Sequence, residues 1–281
     1  MDQPEIAYEQ TGYNPAFLSI PDLLPVPSRP GLLELHYTHF SVLQDPDRRL
    51  AASTGVNIDG AALVDIRRGG ERWRLDPRIG EDQQWGNELY RDNRLDRGHL
   101  VRRQDPLWGD EGTAERANLD TFHYTVCAPQ ADFFNQGREL WLGLEDYILG
   151  HADTHDQRLS VFSGPVLEPD DPEYRGAMIP RRFFKIGAWS SGLGGSDGKL
   201  ACTGYILDQS NGLEQVLYPG AREAPALGPY RTFQVPVEDI GELTGLDLGG
   251  LPAADRYAIP RGARGVAERW REIGGLADVT L

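Results

Sequence analysis

Residues 92–103 read Asp-Asn-Arg-Leu-Asp-Arg-Gly-His-Leu-Val-Arg-Arg, so an acid, a guanidinium, a glycine and an imidazole stand side by side at Asp96, Arg97, Gly98 and His99. A phosphodiester hydrolase needs a base for water and positive charge for a phosphorane-like transition state, and neutral imidazole is the best base near neutral pH. His99 and Arg97 are of the types that supply both. Alone, a histidine is more often a surface or satisfied core residue, and an arginine cluster more often a solvated face. A second segment adds weight: residues 122–137 followed by Trp141-Leu-Gly-Leu-Glu145, an oxygen ligand and a carboxylate around a helix start.

Several motifs follow one another in order. They are Phe40-Ser-Val with Val56-Asn-Ile-Asp-Gly60, then Asp96-Arg-Gly-His99, Ala128-Pro-Gln130 through Asn135-Gln-Gly137, Trp141-x-x-Leu-Glu145, and Ser163-Gly-Pro-Val166. Together, over roughly residues 36 to 210, the sequence resembles the DNA/RNA non-specific endonucleases of the ββα-metal (His-Me finger) superfamily, endonuclease G included. The resemblance implies a metal-dependent, sugar-non-specific endonuclease that leaves 5′-phosphate and 3′-hydroxyl ends. It implies His99 as the base for the attacking water and Asn135 as the sole direct protein ligand of the divalent ion. Glu145 would hold metal-bound waters, Arg97 would support phosphate and metal binding, and Asp96 would orient. Gly98 is read as allowing close backbone approach.

Arg72, Arg94 and Arg102 are the expected substrate contacts, with Arg74 or Arg78 as substitutes for Arg72. Mg²⁺ is the expected ion and Mn²⁺ an alternative, since a hard cation that keeps its waters needs few protein ligands. The sequence departs from the family pattern at Val126, where many members carry Asn, and at Leu149, where some carry Arg. Two residues are also inserted between Gly137 and Trp141. With an unperturbed histidine pKa of about 6.5, activity should rise from acid to mildly alkaline pH.

DNA and RNA are the expected partners, and a homodimer and an inhibitor or activating protein are left open. Two other readings stand beside the nuclease: a catalytically idle member that binds nucleic acid or protein, and a phosphodiesterase acting on small nucleotides. Intact Asp96, His99, Asn135 and Glu145 argue against the idle one. A nuclease in the cytoplasm would endanger its own cell, which raises the further reading of a masking N-terminal arm.

Composition bounds these readings. The 281 residues are 40% hydrophobic and 25% charged, an ordinary globular balance, and 33 Gly with 20 Pro argue against a helical bundle. A formal net charge of −15 opposes bulk attraction to nucleic acid, but arginines concentrate in residues 67–78 and 91–103, so a local basic cleft on an acidic body is compatible with it. Two cysteines, Cys127 and Cys202, are expected as reduced, partly buried thiols. No apolar run approaches the ~18 residues of a membrane helix, and no signal-peptide pattern opens the chain, which makes the cytoplasm the expected location.

The elements that must position these residues are expected to form one α+β domain, a central antiparallel sheet flanked by helices with a ββα-metal finger, over residues 35–281. Residues 1–34 read as an extended arm lying on it. Residues 36–43, 61–66, 122–127, 159–162, 183–189 and 200–207 read as strands, and residues 139–149 and 263–274 as helices. The acidic stretches 168–173 and 238–247 read as solvated loops or faces, and Gly192–Gly198 as a hairpin connection. Trp141, Leu144 and Ile148 read as core, and His36, His39 and His123 as structural. No zinc spacing is present.

Overall fold

The computed structural model describes residues 11–67, 69–70, 72–132, 138–151, 157–192, 198–218, 231–259 and 265–281, without the side chains of 138–142, 151, 215, 266 and 267. The strands are β1 (Leu33–Tyr37), β2 (Phe40–Asp45), β3 (Leu50–Asp59), β4 (Leu95–His99), β5 (Cys127–Ala131), β6 (Arg158–Val166), β7 (Glu173–Tyr174), β8 (Ala177–Met178), β9 (Arg182–Ser191), β10 (Lys199–Asp208), β11 (Arg231–Val235) and β12 (Arg271–Glu272). The α-helices are α1 (Asn87–Tyr90), α2 (Glu111–Asp120), α3 (Arg138–His151), α4 (Ser210–Leu217), α5 (Val237–Thr244) and α6 (Val266–Arg269).

Eight strands form one sheet in the order β1-β2-β3-β6-β9-β10-β11-β12, every neighbouring pair antiparallel. The central strands read as nearly continuous apolar text because both sheet faces are covered. One face buries Val56, Ile58, Leu159, Val161, Phe183 and Tyr205 under Leu144 and Ile148 of α3 and Leu100, Val126 and Ala128 of the β4–β5 region. The other face buries Phe162, Phe184, Ile186 and Ile206 under Val237 and Ile240 of α5 and Tyr13, Phe17, Leu18 and Leu24. The described part of the N-terminal arm therefore packs on the face opposite the β4–β5 pair, and its polar backbone is tied down by Tyr13 N to Ser41 Oγ (3.0 Å) and Asn14 N to Asn57 Oδ1 (2.7 Å). The result is the expected α+β architecture, an antiparallel sheet flanked by helices.

Several local expectations need correcting. Residues 36–43 are not one strand: the chain reverses at Thr38 and His39, with His39 at φ +68°, and makes the β1–β2 hairpin. Residues 61–66 carry a turn and a single bridge from Leu63 to Trp108; the strand lies before them, in β3, where small residues had obscured the pattern. Residues 124–126 form a 3₁₀ turn, and β5 begins only at Cys127. Of residues 263–274, those described hold one helical turn and then β12, since 271–272 pair with β11 instead of continuing the helix. The stretch 238–247 is largely helical, because Val237, Asp239 and Ile240 are buried in α5. Residues 193–197 of the expected hairpin connection, and residues 1–10 of the arm, lie outside the described residues.

Candidate active site

β4 and β5 make a separate two-stranded antiparallel ladder, with Leu95 opposite Ala131, Arg97 opposite Pro129, Gly98 opposite Ala128 and His99 opposite Cys127. Backbone bonds extend it at both ends, from Asp132 N to Arg94 O and from Leu100 N to Val126 O, each 2.9 Å. Because side chains alternate along a strand, Gly98 and Leu100 face the main sheet, while Leu95, Arg97 and His99 share the other face. The motif's guanidinium and imidazole thus project together.

The ladder is held in place from outside. Gln209, buried at the end of β10, accepts from Ala131 N (2.9 Å) and donates to Pro180 O (2.7 Å) and Pro129 O (3.4 Å). On the entry side, Tyr37 OH donates to Asp76 Oδ2 (2.5 Å) and lies 2.6 Å from Thr125 Oγ1, two residues before β5. Arg78 clasps the same carboxylate at 2.6 and 2.9 Å. Burial alone would raise the Asp76 pKa, but the bonds from Arg78 and Tyr37 bring it down to about 2.

His99 is half-buried between aromatic rings, its centroid 4.8 Å from that of Trp73 and 5.4 Å from Phe122, the latter edge-on. Arg97 donates to Asn87 Oδ1 (2.6 Å) and lies over Tyr90 and Tyr124, at 5.3 and 5.8 Å from their centroids. Its Nε is buried without a hydrogen-bond partner among the described residues. Asp96 is exposed on the opposite face of β4. Gly98 has no room for a side chain, because Gln130 of β5 lies over its Cα. Within the protein, the neighbour nearest to a Cβ at Gly98 is this glutamine side chain. Cys127, opposite His99, is no rival nucleophile: burial pushes its thiol up to about 12. Both cysteines are free and buried.

The helix that follows the ladder seats deeply, Ile148 filling the place that a Cβ on Gly187 of β9 would take. Leu144 and Ile148 are core, as the spacing predicts; Trp141 and Asn135 lie outside the residues whose side chains are described. Glu145 is also buried, only 2% exposed. Its Oε1 pairs with Lys185 Nζ of β9, while Oε2 is buried with no hydrogen-bond partner among the described residues. Next to it Asp105 is buried 3.9 Å from Arg102, and burial with the nearby Glu145 charge drives its carboxyl well above the usual carboxylate range.

The arginines divide into two groups. Arg74 is bound to His123 (2.9 Å), Arg78 to Asp76, Arg103 to Asn118 (2.8 Å), and Arg102 to Asp146 (2.8 Å). Arg94 makes a two-pronged pair with Asp132 at 2.8 and 2.9 Å but stays more than half exposed. Arg72 and Arg91 are exposed, with no side-chain partner among the described residues. Sequence reasoning named Gln130 only as part of a motif and missed Trp73, Asn87 and Lys185. Only Lys185 left a visible signal, as the one charge in Phe183-Phe-Lys-Ile-Gly-Ala-Trp189.

Among the described residues no group of three or more His, Cys, Asp or Glu is arranged to hold a metal ion. A hydrated cation on one amide ligand would not require such a group, and a buried carboxylate oxygen lacking a donor suits the water shell of a hard ion.

The pattern that describes DNA/RNA non-specific endonucleases matches residues 26–253. The uncharacterized protein y4fB of Sinorhizobium fredii (strain NBRC 101917 / NGR234) is 42% identical over 240 residues, covering 82% of this chain and 36% of that protein. The chain thus spans about a third of that relative's length. A crystal structure of the EndoG/EndoGI complex, concerned with the mechanism of EndoG inhibition, is similar with a TM-score of 0.56 at 20% identity, over 76% of this chain and 84% of that one.

Proposed function

The chain belongs to the DNA/RNA non-specific endonuclease family, and on that premise we propose that it is a metal-dependent endonuclease cutting DNA and RNA alike to 5′-phosphate and 3′-hydroxyl ends. The observation that carries the reading is the shared face of β4: Arg97 and His99 project together from a two-stranded ladder whose next helix buries Glu145 with an unpartnered oxygen. In this reading His99 takes the proton from the attacking water, and its aromatic walls hold the ring in one orientation. Arg97, anchored by Asn87, meets the phosphate and stabilises charge gathering on its oxygens. Asp96 orients the motif, and Arg72 and Arg94 contact the nucleic-acid backbone, which carries no base information and so gives low sequence specificity. Arg102 acts indirectly, through its pair with Asp146 on α3.

Asn135 and Glu145 would hold the divalent ion, Mg²⁺ or Mn²⁺. When bound, the ion supplies Lewis acidity for the pentacovalent transition state and the departing 3′ oxygen. An inhibitor protein belongs to the same reading, since an enzyme that cuts any nucleic acid must be kept from its host's own; a homodimer is proposed from the family likeness alone. No helix among the described residues is long and apolar enough to cross a membrane.

The test is incubation with supercoiled plasmid and with RNA, in Mg²⁺ or EDTA, beside His99→Ala. Cleavage of both polymers that needs metal and vanishes in the variant is the expected outcome. A wild-type protein inert on both, or a His99→Ala protein as active as wild type, would refute the proposal.

A further inference from the structure

Lys185 is an unusual residue for its place. It sits in β9 among Phe183, Phe184, Ile186 and Ala188, all buried, and its own side chain is 4% exposed. The register sets it directly opposite Ser163 of β6 and Tyr205 of β10. Directly opposed residues on antiparallel strands share a face, so Ser163, Lys185 and Tyr205 form a polar row across three strands on the side that α3 covers. On that face the row is bordered by Pro165, Phe183 and Leu207 on one side and by Val161, Gly187 and Thr203 on the other. Glu145 descends onto this row and pairs with Lys185. Ser163 Oγ and Glu145 Oε2 are buried without a hydrogen-bond partner among the described residues.

Fastening a helix to a sheet does not require this arrangement. Taking two charges out of water costs free energy that their attraction only partly returns, and apolar residues of similar size commonly hold such contacts as well or better. Leu144 and Ile148 already do so on the same helix. What a lysine provides and a leucine does not is a single preferred orientation for the carboxylate, with one oxygen engaged and the other kept as an acceptor. We propose that Lys185 is a positioning residue: it holds the Glu145 carboxylate in one orientation, so that Oε2 receives the water shell of the divalent ion. The inference rests on the nuclease reading of the site, and adds a residue of the central sheet to it.

The test uses Mn²⁺ alone as probe, its binding to the full chain followed by electron paramagnetic resonance without nucleic acid, together with plasmid cleavage as a function of Mg²⁺. The variants are Lys185→Met, Lys185→Arg, Glu145→Gln and the double Lys185→Met/Glu145→Gln, each with a thermal melt. Lys185→Met should weaken Mn²⁺ binding and raise the half-saturating Mg²⁺ by about tenfold, the scale of lost outer-shell partners. KM for plasmid at saturating Mg²⁺ should move less than about twofold, and Lys185→Arg should recover most of the loss. Because Lys185 acts through Glu145, adding Lys185→Met to Glu145→Gln should weaken Mn²⁺ binding no further, although the neutral pair melts closer to wild type than either single variant.

Wild-type Mn²⁺ affinity in a folded Lys185→Met protein overturns the proposal. So does a further loss in the double variant relative to Glu145→Gln, a comparison that decides the matter even if Lys185→Met alone does not fold. A wild-type protein that neither binds Mn²⁺ nor cleaves would instead bring down the nuclease reading, and this inference with it.

Discussion

Gly98→Ala is the sharpest probe of how the ladder serves the site. A methyl group at Gly98 would lie 2.5 Å from Gln130 Cγ and closer still to its Cδ and Oε1. Ordinary carbon contacts begin at about 3.5 Å, so about 1.5 Å of movement is needed at Gln130 Cδ, the nearest atom. Either Gln130 leaves its buried position or β4 shifts away from β5, taking Arg97 and His99 with it. Overpacking of this kind costs about 1–3 kcal/mol, and a displacement of about 1 Å at reacting groups costs on the order of 100-fold in rate. The three nearest atoms belong to Gln130 beyond its Cβ, so Gln130→Ala removes all of them. We therefore expect kcat on plasmid to fall by at least about tenfold in Gly98→Ala, and to return within about threefold of the Gln130→Ala value in the double variant. Plasmid nicking at saturating Mg²⁺, with a thermal melt for each protein, reads both. A double variant as impaired as Gly98→Ala would show that Gln130 is not what excludes the methyl group.

Three further outcomes are expected. Trp73→Ala removes one wall of His99, an aromatic contact of about 0.5–1.5 kcal/mol, so kcat should fall by about 2- to 13-fold while Trp73→Phe stays near wild type; equal kcat in all three would refute the role. Asp76 is held at a pKa of about 2 against 3.8 for a free carboxyl, so its contribution, about 2 kcal/mol, is complete above pH 4 and lost as pH falls towards 2. Urea melts from pH 6 to pH 2 should therefore show a shallower acid loss in Asp76→Asn than in wild type, and parallel curves would contradict it. Leu144→Ala empties a fully buried position under α3 and should lower unfolding free energy by about 2–5 kcal/mol in urea melts, with a change below 1 kcal/mol arguing that α3 is loosely seated.

Much of the fold was legible because its signals are local. Residues 183–189 and 200–207 are long β-forming runs, and the helical spacing of Leu144 and Ile148 survives intact in α3. β3 was not legible: Ala51, Ala52, Ser53, Thr54 and Gly55 carry little alternation, and only pairing on both edges, with β2 and β6, makes them a strand. The turn of helix at 266–269 stops where the edge of β11 captures the chain, a long-range pairing invisible in local text.

For the site, the sequence alone determined which chemistry is available, since a base, a guanidinium and a glycine adjacent in the chain are fixed by covalent order. It also determined that Arg97 and His99 project together once the segment is a strand, because side chains alternate with period two. Which arginines remain available was decided only by tertiary structure. Arg74, Arg78, Arg102 and Arg103 are taken up by His123, Asp76, Asp146 and Asn118, partners 2 to 49 residues away, whereas Arg72 and Arg91 reach solvent. The pairing of Glu145 with Lys185, 40 residues on, likewise follows from α3 lying across β9. Charge recognition acts through space and burial sets its strength, and neither quantity exists until the chain has folded.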